Sequence, residues 1–279
     1  MNIGSLGSSN LNNINSIRNS VNNSIQKIAT GSKHPTAASG ASEYAITQRM
    51  YSQLGAIEQS NANAQNANAM LNTASGAANN TVNALTTLRE NLINAANGTN
   101  GDVDREALQK SVDQTVSQIN ENAGVTYNGK DLLNGSSSVT VAGVDGYNTV
   151  NLGNLTSQAL GLTDENGNST LDLSTQEGIE SALSTVENAL NVASDESSNI
   201  DSALDEATTI GAQQQGLDYQ SANYTTMAEN LQDSISTLDD TDIAAEITKL
   251  KSSSTQEQVA LYAQKMFMHN ASNVLSLLQ

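Results

Sequence analysis

Met50, Ile57, Ala64, Leu71, Ala78, Leu85 and Leu92 stand seven residues apart without a break. A second line, Ala67, Ala74, Leu88 and Ala95, runs three positions along. Seven residues make close to two turns of helix, so both lines share one face. Recurrence over this length predicts a helix from about residue 43 to 96 with a coiled-coil-like seam, and its alanines mark where another helix approaches closely. The only proline is Pro35, so nothing of that kind breaks the pattern.

The residues that usually build a compact core are scarce. Among 279 residues there is no Trp, and Phe267 is the only Phe. Aromatic side chains bury the most area per residue, so the expected core is thin and long. The expected fold class is mainly α, with long antiparallel coiled-coil-like helical rods.

A first helix is expected over about 5–30, stopped by Gly31 and Pro35. Asn97-Gly98 and Asn100-Gly101 end the long helix. A shorter one at about 104–122 carries Leu108, Val112, Val116 and Ile119. Residues 124–175 change character: Asn-Gly recurs at 128–129, 134–135 and 166–167, which favours tight hairpin turns. Short strands are expected at Val139–Ala142 and Thr149–Leu152, forming a small β-hairpin cap. From Gln176 heptads return, with Leu183, Leu190 and Leu204 in one line and Ile179, Val186, Ala193, Ile200 and Ala207 in the other. Leu217, Tyr224, Leu231 and Leu238 follow, and a last helix begins near 241.

Both ends are amphipathic. The first 28 residues space Ile3, Leu6, Leu11, Ile14, Ile17, Val21, Ile25 and Ile28 three to five apart. The last helix carries Leu261, Met268 and Leu275, and the tail contains Val274, Leu277 and Leu278. Chain ends fray unless something holds them, so this core is expected to be finished by other copies of the chain.

The formal charge of −18 is unevenly placed. Residues 1–50 set Arg18, Lys27, Lys33 and Arg49 against Glu43 alone, and residues 241–279 balance three bases with three acids. An acidic middle between near-neutral ends suits a polymer whose ends are inside. The same sign argues against nucleic acid as a partner. The lack of cysteine excludes disulfides, thiol catalysis and thiolate metal sites. No basic-then-apolar leader is visible, and no apolar run approaches the ~18 residues of a membrane span. Neither a cleaved signal of that kind nor a membrane partner is expected.

Particular strings resemble bacterial flagellin. The tail Asn273-Val274-Leu275-Ser276-Leu277-Leu278 is similar to the family's C-terminus, and Asp240-Thr241-Asp242-Ile243-Ala244-Ala245-Glu246 stands at the matching ungapped distance. Thr226-Met227-Ala228-Glu229-Asn230-Leu231, Gly211-Ala212-Gln213, Ile28-Ala29-Thr30-Gly31, Tyr127-Asn128-Gly129-Lys130-Asp131-Leu132-Leu133 and Leu160-Gly161-Leu162 follow in family order. The likeness spans nearly the whole chain, as in a short form lacking the family's variable outer domains.

The resemblance implies that 1–40 and 241–279 form a discontinuous inner domain of paired filament-core helices. Residues 41–240 would form an outer rod domain capped at about 124–175. Self-assembly would rest on Ile14, Ile17, Val21, Ile25, Ile28, Leu261, Met268, Val274, Leu275, Leu277 and Leu278. It also implies secretion through type III export, with an export chaperone, the filament cap and hook-associated proteins as partners. A candidate innate-receptor surface falls on Leu88, Arg89, Glu90, Leu92 and Ile93. Thr87 and Asn91 stand where the family commonly has a basic residue and a leucine, which implies a weaker contact.

No catalytic, cofactor-binding or metal-binding residues are expected. His34 and His269 lack partners at metal-ligand spacing. His269 is expected to be packed on the last helix, and Asp239 to Asp242 to mark a helix start. The alternatives are a hook–filament junction protein, a secreted coiled-coil translocator or adhesin, and an enzyme. The last lacks a nucleophile–base pair or phosphate loop to support it.

Overall fold

A computed structural model describes residues 3–136, 138–190 and 202–277. Ala193, Ile200 and Leu278 lie outside these residues. The elements run α1 (Ile3–Thr30), α2 (Ala41–Ala95), α3 (Asp102–Ala123), β1 (Thr126–Tyr127), β2 (Lys130–Asp131), β3 (Ser138–Gly143), β4 (Gly146–Asn151), α4 (Gln176–Leu190), α5 (Ala203–Asp239) and α6 (Ile243–Leu277). The fold is mainly helical with a small antiparallel hairpin β3–β4, as the sequence implies, and a second, shorter one, β1–β2, beside the expected pair in the chain.

Helix boundaries follow local chemistry. Gly31 ends α1 with φ +72°, a conformation that side chains with a Cβ resist. Thr175, Ser202 and Asp242 cap α4, α5 and α6, each side-chain oxygen accepting a backbone N–H three residues on. Asp242 thus has the helix-start role expected of the 239–242 acids.

Chain contacts divide into two compact units. One comprises Met1–Gly55 with Ala228–Gln279, the other Ala56–Met227. The divisions fall inside α2 and α5.

In the Ala56–Met227 unit, both expected heptad lines are core. Ala64, Leu71, Ala78, Leu85 and Leu92 are buried, as are Ala67, Ala74, Leu88 and Ala95. Thr81 fills the gap in the second line and is also buried. Val112, Val116 and Ile119 of α3 and Ile179, Ala182, Val186 and Ala189 of α4 complete the core. The two heptad lines from Gln176 are unequal. Ile179 and Val186 are fully buried, whereas Leu183 and Leu190 are half-buried and Leu204 is exposed.

Beside this seam, α2 and α5 are joined by polar side chains. Ser221 donates to Asn61 at 2.6 Å, Asn61 donates to Thr225, Asn68 donates to Asp218, and Gln214 donates to Asn72 at 3.0 Å. As α2 numbers rise the α5 numbers fall, so the helices run antiparallel. The steps on α5 are four, three and four residues, so the ladder follows the heptad rhythm.

The segment 124–175 holds the expected strands. β3 and β4 pair in register, with Val139 opposite Val150 and Val141 opposite Asn148. Asn128 (φ +50°) and Gly129 (φ +76°) turn β1 into β2, the geometry that Asn-Gly favours. The segment also buries Leu132, Leu133, Leu152, Leu155, Leu160, Leu162, Leu171 and Leu173. Gln109 ties it to α3, its amide donating to the Leu171 carbonyl at 2.8 Å and accepting from the Leu173 N–H at 3.0 Å. A side chain there does what a neighbouring strand would do.

Candidate assembly surfaces

α1 and α6 pack against each other within the unit formed by the two ends. On α1 the residues set back from solvent include Asn10, Ile14, Ile17, Val21, Ser24 and Ile28, spaced four and three apart. On α6 the same rhythm picks out Glu246, Leu250, Ser253, Glu257, Ala260, Gln264 and Phe267. Ser24 is fully buried and donates to Glu246, and Arg18 meets Glu257 at 2.8 Å. These pairings make α1 and α6 antiparallel.

The loop between α1 and α2 is strapped to the start of α6. Thr241 donates its N–H to the Gly31 carbonyl at 2.8 Å, and Lys33 Nζ reaches the Thr237 carbonyl at 3.0 Å. The Asp239 carboxylate, nine-tenths buried, accepts from the Ser32 hydroxyl.

The seam is lopsided. Four of the six α1 positions named are branched aliphatics, while α6 contributes two glutamates, a serine and a glutamine among its seven positions. Leu250, Ala260 and Phe267 share that seam, but most of the large apolar side chains of α6 stand elsewhere. Val259 is 64% exposed, and Ile243, Ile247, Leu261, Tyr262, Met266 and Met268 are exposed with it; on α1 so are Leu11 and Ile25. A helix closing a globular core does the reverse, turning its apolar face inward and its polar face out.

The expected self-assembly residues therefore split. Ile14 is buried, and Ile17, Val21 and Ile28 are half-buried within this chain, whereas Ile25, Leu261 and Met268 are open. Val274, Leu275 and Leu277 lie on the helical backbone of α6, with side chains outside the described ones; Leu278 lies outside altogether. Val259, Tyr262 and Met266 belong to the exposed set but escaped sequence reasoning. Their three-and-four spacing was legible, but it was masked by the seven-residue line through Leu261 and Met268.

The candidate receptor surface needs correction. Leu88 and Leu92 are fully buried among α2 core residues and offer nothing to a partner. They belong to the same heptad lines that build the core. Glu90 and Ile93 remain exposed, and Arg89 pairs with Glu187 of α4 at 3.2 Å.

His269 is exposed on α6, not packed. His34 lies in the loop after α1, with its Nδ1 3.2 Å from the Ser39 carbonyl oxygen. A cleft of about 520 Å³ between α3 and residues 169–174 is lined by Asp102, Glu106, Asp113 and Asp172 with Arg105 and Gln109. Among the described residues, no group of three or more His, Cys, Asp or Glu is set to hold a metal. Among them, too, no helix is long and apolar enough to cross a membrane.

Two family models match the chain. The bacterial flagellin N-terminal helical region covers residues 2–138, and the C-terminal helical region covers residues 197–278. The chain is 28% identical over 274 residues to the flagellar filament 30.7 kDa core protein of Treponema maltophilum, covering 92% of each. It is 27% identical over 279 residues to the flagellar filament 33 kDa core protein of Treponema phagedenis, covering 93% of each. In fold it is similar to a solved structure described as a flagellar hook-associated protein from Vibrio parahaemolyticus. That match has a TM-score of 0.58 and 15% identity, covering 72% of this chain and 99% of that one.

Proposed function

The chain belongs to the bacterial flagellin family, and from that premise we propose that its open terminal helices join copies of it into a flagellar filament. It is the structural subunit of that filament and serves swimming motility. The observation that carries this reading is the inverted burial of α6, which spends polar residues on α1 and leaves Val259, Leu261, Tyr262, Met266 and Met268 uncovered. Burying such side chains stabilises by about 1.5–3 kcal/mol each, and a helical polymer repeats that gain at every subunit.

In this reading residues 1–40 and 241–279 form the inner part of the filament and residues 41–240 the outer part. The assembly residues are Ile25, Leu261, Met268, Val274, Leu275, Leu277 and Leu278, supported through the intrachain seam by Ile14, Ile17, Val21 and Ile28. The subunit acts without catalysis and works outside the cell after type III export. An export chaperone, the filament cap and hook-associated proteins handle its ends. An innate receptor would have only Arg89, Glu90 and Ile93 of the proposed patch to touch. The hook–filament junction alternative rests on likeness of fold.

Purified protein seeded with short filament fragments tests the reading. Negative-stain microscopy should show growth from the seeds at micromolar subunit. Protein that stays monomeric on competent seeds contradicts it.

A further inference from the structure

We propose that Met266 and Met268 are a peroxide-sensitive modification site through which thioether oxidation keeps the free subunit out of the polymer. The proposal rests on the filament reading above for its consequence, and on exposure for its chemistry. Met266 is 51% and Met268 65% exposed, whereas Met70 is 4% exposed in the α2 core. The chain has no cysteine, so no thiol of its own competes for the oxidant.

A sulfur lone pair attacks one oxygen of a hydroperoxide, the O–O bond breaks, and the oxygen stays on sulfur as a sulfoxide. The peroxide is reduced by two electrons and leaves as water or alcohol. The product replaces a soft apolar group with a strong acceptor, which must lose its water if a neighbouring subunit covers it.

Geometry limits the damage to assembly. The seven α6 positions set back against α1, from Glu246 to Phe267, include neither methionine. An oxidised subunit therefore keeps its own fold. The same exposure gives the modification a direction, because packing in the filament covers both sulfurs.

The test treats purified subunit with hydrogen peroxide, maps oxidised methionines by peptide mass spectrometry, and measures growth from untreated seeds. Met266 and Met268 should gain oxygen well before Met70. The subunit concentration needed for growth should rise about tenfold, the equivalent of about 1.4 kcal/mol, with circular dichroism unchanged. The two sulfoxide reductases, one for each epimer, supplied together with a thiol reductant, should restore growth. The double variant Met266→Leu/Met268→Leu, a volume-conserving change, should need the same subunit concentration for growth before and after peroxide, whatever its own untreated value. Exposed Met227 is the control, and Met227→Leu should stay sensitive.

Loss of growth in the peroxide-treated double variant overturns the proposal. Equal oxidation rates of these sulfurs in free subunit and filament do so too. Untreated protein that fails to grow removes the filament reading and this proposal with it. Normal growth of fully oxidised protein removes this proposal alone.

Discussion

Ser24 of α1 donates its hydroxyl to the Glu246 carboxylate of α6 at 2.7 Å, and the serine is fully buried. Lys249 stands 3.7 Å from the same carboxylate. Ser24→Ala leaves Glu246 short of a partner and should loosen the α1–α6 pair by about 1–2 kcal/mol. The joint change Ser24→Leu/Glu246→Leu turns a polar pair into an apolar one and should recover or exceed that loss. Hydrogen exchange of α1 and α6 peptides reads both; slower exchange in the single variant would contradict the expectation.

The tail is expected to be an assembly element and not a folding one. Deleting residues 274–279 removes Val274, Leu275, Leu277 and Leu278, nominally several kcal/mol of burial per subunit at about 1.5–3 kcal/mol each. The truncated protein should stay soluble and helical, with the 56–227 unit melting as before, and should fail to grow from seeds. Growth at the full-length concentration would assign assembly to other residues.

Gly143 at the end of β3 lies under the Tyr224 hydroxyl, which accepts from Gln220 at 3.0 Å. A Cβ at Gly143 would collide with that oxygen. Gly143→Ala should cost about 1–3 kcal/mol, and Tyr224→Phe should relieve most of it in the double variant. Denaturant melts of the four proteins give the coupling directly; additive effects would mean that the hairpin shifts away freely.

The loop from Asp164 to Asn168 should loosen in acid. The side chain and backbone N–H of Asn168, with help from Asn166, hold the Asp164 carboxyl below its ordinary value of 3.8. Hydrogen bonds from Ser174 do the same for Asp172. A carboxyl whose folded pKa is depressed adds stability that is fully present above the unfolded value. That stability is lost as pH falls through the folded one. Exchange at Asn166 and Asn168 should therefore accelerate, beyond its intrinsic pH dependence, below about pH 3.8. Asp164→Asn should abolish that excess change.

Much of this was legible because heptads report burial directly. Leu71, Leu85, Leu88 and Leu92 recur at core spacing and are all fully buried. Gly31 and Asp242 also mark helix ends through their own backbone chemistry. The leucines between 132 and 173 were not legible as core, because they lie on turns, bends and irregular chain with no period to betray them. The site was half legible. Ile14 and Leu261 look alike in sequence, yet one is buried within the chain and the other faces outward. Periodicity says that a face is apolar without saying which neighbour takes it.

The Asn61–Ser221, Asn68–Asp218 and Asn72–Gln214 rungs tie the lengths of α2 and α5 together. One residue inserted between Asn61 and Asn72 would swing everything beyond it by about 100° around the helix and strand the rungs on the wrong side. Seven residues would return it to within about 20°, but only a matching seven in α5 would give the new rungs partners. Lineages that lengthen this pair should therefore do so in whole heptads, on both helices at once.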